Sequence, residues 1–269
     1  MRSRTVSVAD GRYGAAVFEG GSGESLLYLH GIWDQPPNAF VDDLCRSFAV
    51  TAPVHLGFEG SGSASAMVDI SDAVYYHLDL LDALGLSELS LIGHSLGGMF
   101  AAELAAVQPD RFRRLVLISP LGLWDPARPA PDFFAAQPAE LVGALFADVD
   151  APAAATTLKP PQDEDALVAH LLRRNRAMAT ATRYLWPLPD RGLARRIHRV
   201  SLPTLIVWGS DDGICPVAYG ELWHEAIAGS ELQVVPDAAH LVHLERREPV
   251  VAAVRDAIGS PTAAEPPAR

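Results

Sequence analysis

Leu89-Ser90-Leu91-Ile92-Gly93-His94-Ser95-Leu96-Gly97-Gly98-Met99-Phe100 is the stretch that decides how this 269-residue chain folds. Its first five residues are a short apolar run ended by glycine, as in a strand buried on both faces. From Leu96 to Val107 the chain is rich in Ala and Leu and has the period and length of a helix. A serine stands at the join, with a glycine two residues away on either side. A tight strand-to-helix turn leaves no room for side chains at those glycines, and the serine at its apex sits in a strained backbone conformation. That placement predicts Ser95 as the nucleophile of a hydrolytic enzyme working through a covalent acyl-type intermediate.

Outward from this turn, short apolar runs alternate with segments of helical period, the pattern of an α/β architecture with a mostly parallel sheet. Candidate strands are Thr5 to Ala9, Ala15 to Glu19, Ser25 to Leu29, Phe48 to Ala52, Leu89 to Gly93, Leu115 to Ser119, Pro203 to Trp208 and Leu232 to Val235. The first two have no room for a crossover and are expected to form an antiparallel hairpin. Helices are expected over Val68 to Leu84, Leu96 to Val107, Val217 to Ile227 and Leu241 to Ile258. Between Leu121 and His198 the alternation lapses and Pro and Ala dominate, so residues 122–198 read as an inserted helical lid on a core of 1–121 and 199–262. Within the lid, Asp165 to Thr182 has helical period. Residues 263–269 read as a disordered tail.

Composition narrows the function. Hydrophobic residues make up 49% of the chain but never approach the roughly 18 in a row that a spanning helix needs, so no membrane segment is expected. The N-terminal residues lack the apolar centre of a secretory signal, which makes cytoplasmic residence the expectation. A net charge of −12 repels phosphate backbones and anionic surfaces and argues against a nucleic-acid partner. The two cysteines, Cys45 and Cys215, have no metal or redox spacing and are expected to be reduced. His240 and His243 lack the H-E-x-x-H pattern, and no metal or other cofactor is expected. Gly20-Gly21-Ser22-Gly23 is a turn, without the Lys of a phosphate loop.

A serine hydroxyl is a weak nucleophile at neutral pH and needs a base oriented by an acid. His240 follows the last candidate strand, and Asp211-Asp212 follow the strand before it, in Trp208-Gly209-Ser210-Asp211-Asp212-Gly213. Serine, then acid, then histidine is the order expected when all three project from the carboxyl ends of parallel strands. His243 lies one helical turn beyond His240 and reads as a packing or capping residue. Leu29-His30-Gly31-Ile32-Trp33 follows another apolar strand, so the N–H of Ile32 and that of Leu96 are candidates to hold a developing oxyanion.

With these four motifs in this order, residues 20–121 and 199–258 resemble the α/β-hydrolase superfamily. The resemblance implies an α/β-hydrolase fold with an eight-stranded, mostly parallel sheet and a cap. It implies Ser95 as nucleophile, His240 as base, Asp212 rather than Asp211 as acid, and Ile32 and Leu96 as oxyanion donors. Ala52-Pro53-Val54-His55-Leu56-Gly57-Phe58-Glu59-Gly60-Ser61 resembles a structural loop of the family, with His55 where Asp is common. Halide- and epoxide-cleaving members carry Asp where Ser95 stands. Members that hydrolyse carbon–carbon bonds usually have Asn and Trp where His94 and Leu241 stand here.

The expected function is therefore a carboxylesterase-like serine hydrolase acting on a small apolar ester or related acyl compound, with a homodimer left open. Trp33, Trp124, Phe133, Phe134, Met178 and Trp186 are candidates for its apolar pocket. Arg173, Arg174 and Arg183 read as a solvated helix face, with a substrate carboxylate as the alternative. Two other readings remain: a C–C hydrolase, lyase or cyclase acting on a diketone or polyketide-like molecule, and a non-catalytic ligand-binding member of the fold.

Overall fold

A computed structural model describes residues 1–188 and 190–259, so the tail expected at 263–269 lies outside the described residues. Strand β1 (Arg2–Val8) pairs antiparallel with β2 (Tyr13–Gly20), through a tight turn in which Ala9, Asp10 and Gly11 have positive φ. β2 is antiparallel to β4 (Phe48–Pro53). From there the sheet is parallel through β3 (Glu24–Leu29), β5 (Leu89–His94), β6 (Phe112–Ile118), β7 (Thr204–Gly209) and β8 (Glu231–Val235). The strand order is β1-β2-β4-β3-β5-β6-β7-β8. Sequence order reverses between β3 and β5, and the crevice at their carboxyl ends is where open α/β sheets bind ligands. The eight expected strands and the hairpin are all present.

Helix α1 (Ala39–Leu44) was not expected from the sequence; it is six residues long, too short to show a period, and is capped by the Asn38 side chain. α2 (Ile70–Leu84) starts two residues later than Val68, because Asp69 and Asp72 form a capping box. α3 (Leu96–Val107) and α7 (Ala218–Ala226) match expectation closely. The single helix expected over Leu241 to Ile258 is instead two, α8 (Val242–Glu245) and α9 (Arg247–Gly259), separated by Arg246 at φ −116, ψ 55.

Residues 122–198 fold into α4 (Pro138–Leu145), α5 (Pro152–Leu158) and α6 (Glu164–Leu185). The prolines that break periodicity in this segment open α4 and α5, at the position where a missing N–H costs nothing. This segment is tied to the sheet's carboxyl edge by main-chain bonds. The N–H of Leu241 donates to the Leu145 carbonyl at 3.0 Å and that of Gly213 to Ala144 at 3.2 Å. Arg176 and Thr180 of α6 both donate to the Gly57 carbonyl, at 2.8 and 3.0 Å.

Two close backbone approaches set the centre of the fold. A Cβ on Gly97 would lie 2.1 Å from the Leu29 carbonyl oxygen and 2.5 Å from that of His30. One on Gly93 would lie 2.3 Å from the Gly97 carbonyl oxygen. The first turn of α3 therefore rests directly on the end of β3. Gly97→Ala is expected to cost ~3 kcal/mol or more, because backbone rather than a pliable side chain must give way. Thermal unfolding of that variant should fall by roughly 8 °C, and an unchanged melting temperature would contradict the packing.

The core also holds six histidines at 2% exposure or less: His30, His55, His77, His94, His240 and His243. His55 links two elements through its ring, with Nε2 2.8 Å from the His30 carbonyl and Nδ1 3.1 Å from His77 Nε2. Its own N–H donates to His30 Nε2 at 3.1 Å. Burial pushes His30, His77 and His243 down to about 4, outweighing the attraction of Asp34 for His30 and His243. The unfolded chain takes up these protons near pH 6.5 but the folded chain only near 4. The stability is thus fully present above pH 6.5 and is lost as pH falls toward 4. Urea midpoints should be flat above pH 7 and fall steadily from 6.5 to 4; a flat profile down to 4.5 would refute the assignment.

Candidate active site

Ser95 sits between β5 and α3 at φ 54, ψ −117, a backbone conformation rare for any residue with a side chain. Its N–H donates to the Ile118 carbonyl at 3.0 Å, and its carbonyl accepts the Leu121 N–H at 3.1 Å. The strained turn is thereby pinned on both sides to the end of β6. Ser95 Oγ lies 2.9 Å from His240 Nε2, and His240 Nδ1 lies 2.9 Å from Asp212 Oδ2. Asp212 Oδ1 accepts the N–H groups of Ile214 at 2.9 Å and Cys215 at 2.8 Å, which fixes the carboxylate plane.

The loops bearing the acid and the histidine are themselves packed backbone to backbone. A Cβ on Gly209 would lie 2.3 Å from the Ala239 carbonyl oxygen, which accounts for glycine at the end of β7. The Asp211 side chain turns outward and accepts from the Ser210 hydroxyl, so the geometry selects Asp212 from the pair.

Ile32 and Leu96 both neighbour Ser95, one across the Gly31 loop and the other in sequence. Leu96 is the first residue of α3, where a helix has N–H groups without internal acceptors and the positive end of its dipole. A Cβ on Gly31 would lie 2.9 Å from the Ser95 Cβ, so the peptide joining Gly31 to Ile32 runs beside the serine. Both residues are buried, at 3% and 0% exposure.

Behind this loop lies a buried polar network in which the sequence reading assigned no role to Asp34 or Tyr28. Asp34 Oδ1 accepts the Gly31 N–H at 2.7 Å and is 3.0 Å from His94 Nδ1. Its Oδ2 accepts the Tyr28 hydroxyl and is 3.2 Å from His243 Nε2. His94 Nε2 in turn is 3.0 Å from the His240 carbonyl. Asp34 thus connects the Gly31 loop, through His94, to the backbone of His240. Burial alone would raise the Asp34 pKa, but His94 and His243 outweigh it and hold the carboxyl well below its usual range. His243 belongs to this network, beyond the packing role its spacing suggested. The available signals were an Asp three residues after Gly31 and a His one turn after His240, and neither shows a contact until the chain is folded.

Asp34, His94 and His243 also place ligand-type atoms within 4.8 Å of one another. The donor set fits a metal poorly, since Asp34 already receives the Gly31 N–H and the Tyr28 hydroxyl, which a cation would have to displace.

Two cavities border the site. The larger, ~420 Å³, lies between α5, α6 and the loop after β3 and is lined by Ile32 and Trp33. The smaller, ~30 Å³, is lined by Met99, Trp124, Phe133 and Ile214. Ser95 and His240 themselves are fully buried. The Trp33 ring packs edge-on to His240 at 5.9 Å and to Phe133 at 5.7 Å. Phe133 meets Phe134 at 4.4 Å, and Phe134 meets Trp186 at 6.0 Å, with Trp186 half exposed. Of the six expected pocket residues, Trp33, Phe133, Phe134 and Trp186 form one aromatic chain from the site to the surface. Trp124 shares the small cavity with Phe133, whereas Met178 packs against the core and lines neither cavity.

No helix among the described residues is long and apolar enough to cross a membrane. A family model described as the alpha/beta hydrolase fold matches residues 19–247. A pimeloyl-[acyl-carrier protein] methyl ester esterase of Neisseria meningitidis is 31% identical over 248 residues, covering 87% of this chain and 93% of that protein. The dihydrolipoyllysine-residue acetyltransferase component of an acetoin cleaving system from Cupriavidus necator is 27% identical over 258 residues; these cover 90% of this chain but only 65% of that protein. Among solved structures, 2-hydroxy-6-oxo-6-phenylhexa-2,4-dienoate hydrolase from Rhodococcus sp. strain RHA1 superimposes with a TM-score of 0.73 at 19% identity, covering 96% of this chain and 99% of that one. With the family model spanning most of its length, the chain belongs to the alpha/beta hydrolase family.

Proposed function

We propose that this protein is a serine hydrolase that cleaves a carboxylic ester or related acyl compound through an acyl-enzyme. The observation that carries the reading is the continuous chain from Ser95 Oγ through the His240 ring to Asp212, each link 2.9 Å, on a serine held at positive φ. The kinship with a methyl ester esterase supports the choice of bond.

Ser95 Oγ attacks the acyl carbonyl while His240 Nε2 takes its proton, and Asp212 holds the imidazole in the tautomer that leaves Nε2 free. The carbonyl oxygen becomes an oxyanion between the N–H groups of Ile32 and Leu96. Collapse breaks the ester bond as His240 returns the proton to the departing alcohol. Water then attacks the acyl-enzyme, giving its proton to His240; the acyl C–Oγ bond breaks as His240 returns that proton to Ser95 Oγ, and the acid leaves. Because Ser95 and His240 are fully buried, with Trp33 packed on His240 and Phe133 of the 122–198 segment packed on Trp33, this segment acts as a lid that must shift to admit substrate.

A fluorophosphonate is expected to modify Ser95 alone, as mapped by mass spectrometry. Ser95→Ala should abolish labelling and lower kcat on 4-nitrophenyl esters by at least ~10⁴-fold. Turnover of a vinylogous diketone with no ester hydrolysis would overturn the ester reading, and absence of labelling would overturn the nucleophile.

Asp34→Asn weakens the hold on Gly31 and thereby on the Ile32 N–H. It should lower kcat up to ~100-fold with little change in KM, as expected for a displaced transition-state donor. Equal loss of kcat and of folded protein, measured by circular dichroism, would show a structural role only.

A further inference from the structure

The ~420 Å³ cavity stands out against the chemistry of the chain around it. The protein carries a net charge of −12, yet His170, Arg173, Arg174 and Arg247 all line this one space. His170, Arg173, Arg174 and Ala177 fall at i, i+3, i+4 and i+7 of α6, so one face of the helix is turned to the cavity. The sole carboxylate lining it is Asp34, whose two oxygens are taken by Gly31, Tyr28, His94 and His243.

These groups are not equally available: burial and the neighbouring Arg174 and Arg173 lower the His170 pKa, so His170 serves as a neutral hydrogen-bonding group. Arg173 is paired with Glu59, and Arg247 with Asp43 at 2.6 Å. Arg174 has no partner among the described residues, and His170 Nε2 is a buried polar atom with none. The same cavity is walled by Trp33, whose ring packs on His240, and by Ile32 beside Ser95. Two polar groups of α6 without partners thus share one cavity with the Ile32–Trp33 segment, which borders Ser95 and His240. Asn38, Thr156 and Thr157 add neutral hydrogen-bonding groups, as in sites that orient a ligand within a mostly apolar lining.

We propose that this cavity is an anion subsite in which Arg174, aided by His170, binds a carboxylate or phosphate at the far end of the acyl substrate. The assignment rests on the serine-hydrolase reading and sharpens it: the substrate is an ester whose acyl chain ends in an anion, rather than a wholly apolar one. An Arg guanidinium is suited to this because it presents paired donors to planar oxyanions.

The test pairs 4-nitrophenyl hexanoate with the mono-4-nitrophenyl ester of adipic acid, which differ only in the terminal carboxylate. The wild-type enzyme should favour the adipate ester, and Arg174→Ala should lower that preference by about 10- to 100-fold, through KM. Arg174→Lys should restore part of it, and Arg183→Ala, at an exposed residue of the same helix that does not line the cavity, should leave the ratio intact. Equal treatment of the two esters by wild type, or an Arg174→Ala variant with an unchanged ratio, would overturn the proposal.

Binding of free adipate and of inorganic phosphate to Ser95→Ala, read by tryptophan fluorescence, separates the two layers of the argument. Adipate binding that Arg174→Ala abolishes, together with wild-type protein that hydrolyses neither ester, would uphold the subsite and reject the reaction. Phosphate binding without any preference for the anionic ester would assign the pocket to a free ion and overturn the substrate assignment.

Discussion

The rest of the molecule depends on the contact between the first turn of α3 and the end of β3. Gly97 allows it: its missing side chain leaves the Leu29 and His30 carbonyls within a distance no Cβ could tolerate. That contact brings together two loops that are 64 residues apart in sequence at the point where the sheet changes direction. One loop carries Ser95 and the Leu96 N–H, the other Gly31 and the Ile32 N–H. A candidate nucleophile and two candidate oxyanion donors are thus placed by main-chain packing rather than by flexible side chains, which is the precision preorganised electrostatics needs.

Around this contact the protein buries polar groups that most cores avoid. Two of them bear directly on the Gly31 loop. On one side His55 grips the His30 backbone and ring together. On the other, Asp34 holds the Gly31 N–H and reaches through His94 to the His240 carbonyl. A charged carboxylate at this depth is stable only because hydrogen-bond donors surround it, and those donors belong to the elements that carry the reacting groups. Loss of any one of them would leave an unpaired buried group, so the network couples the shape of the site to the stability of the fold.

Residues 122–198 contact this region at several points. They meet it through main-chain bonds at Leu145 and Ala144, through α6 on Gly57, and through Phe133 on Trp33. The result is a shielded serine with two adjoining cavities of different character, one small and apolar, the other large and lined with cations. A buried reaction centre strengthens electrostatic interactions. The cationic wall gives the same cover a means of discriminating between substrates.

Much of the core was legible from residues 89–100 outward, because a buried parallel strand and a glycine-flanked turn impose composition locally. The eight strands, the order of Ser95, Asp212 and His240, and the glycines at 31, 93 and 97 follow from such local demands. The inserted segment was legible only as an interruption, since the prolines that open α4 and α5 look like breakers when the partners of those helices are unknown. The division at Arg246 and the short α1 escaped for a similar reason, being settled by packing rather than by period. The linkage of Asp34 to His94 and His243 could not be read at all, because it joins residues 60 and 209 positions apart. What the sequence by itself determined is therefore the sheet and the candidates for the reacting groups, which rest on near-neighbour sterics and hydrophobic period. What only the tertiary structure decided is which buried polar groups support them and which α6 cations face the cavity, because those depend on charge and hydrogen bonding between distant segments.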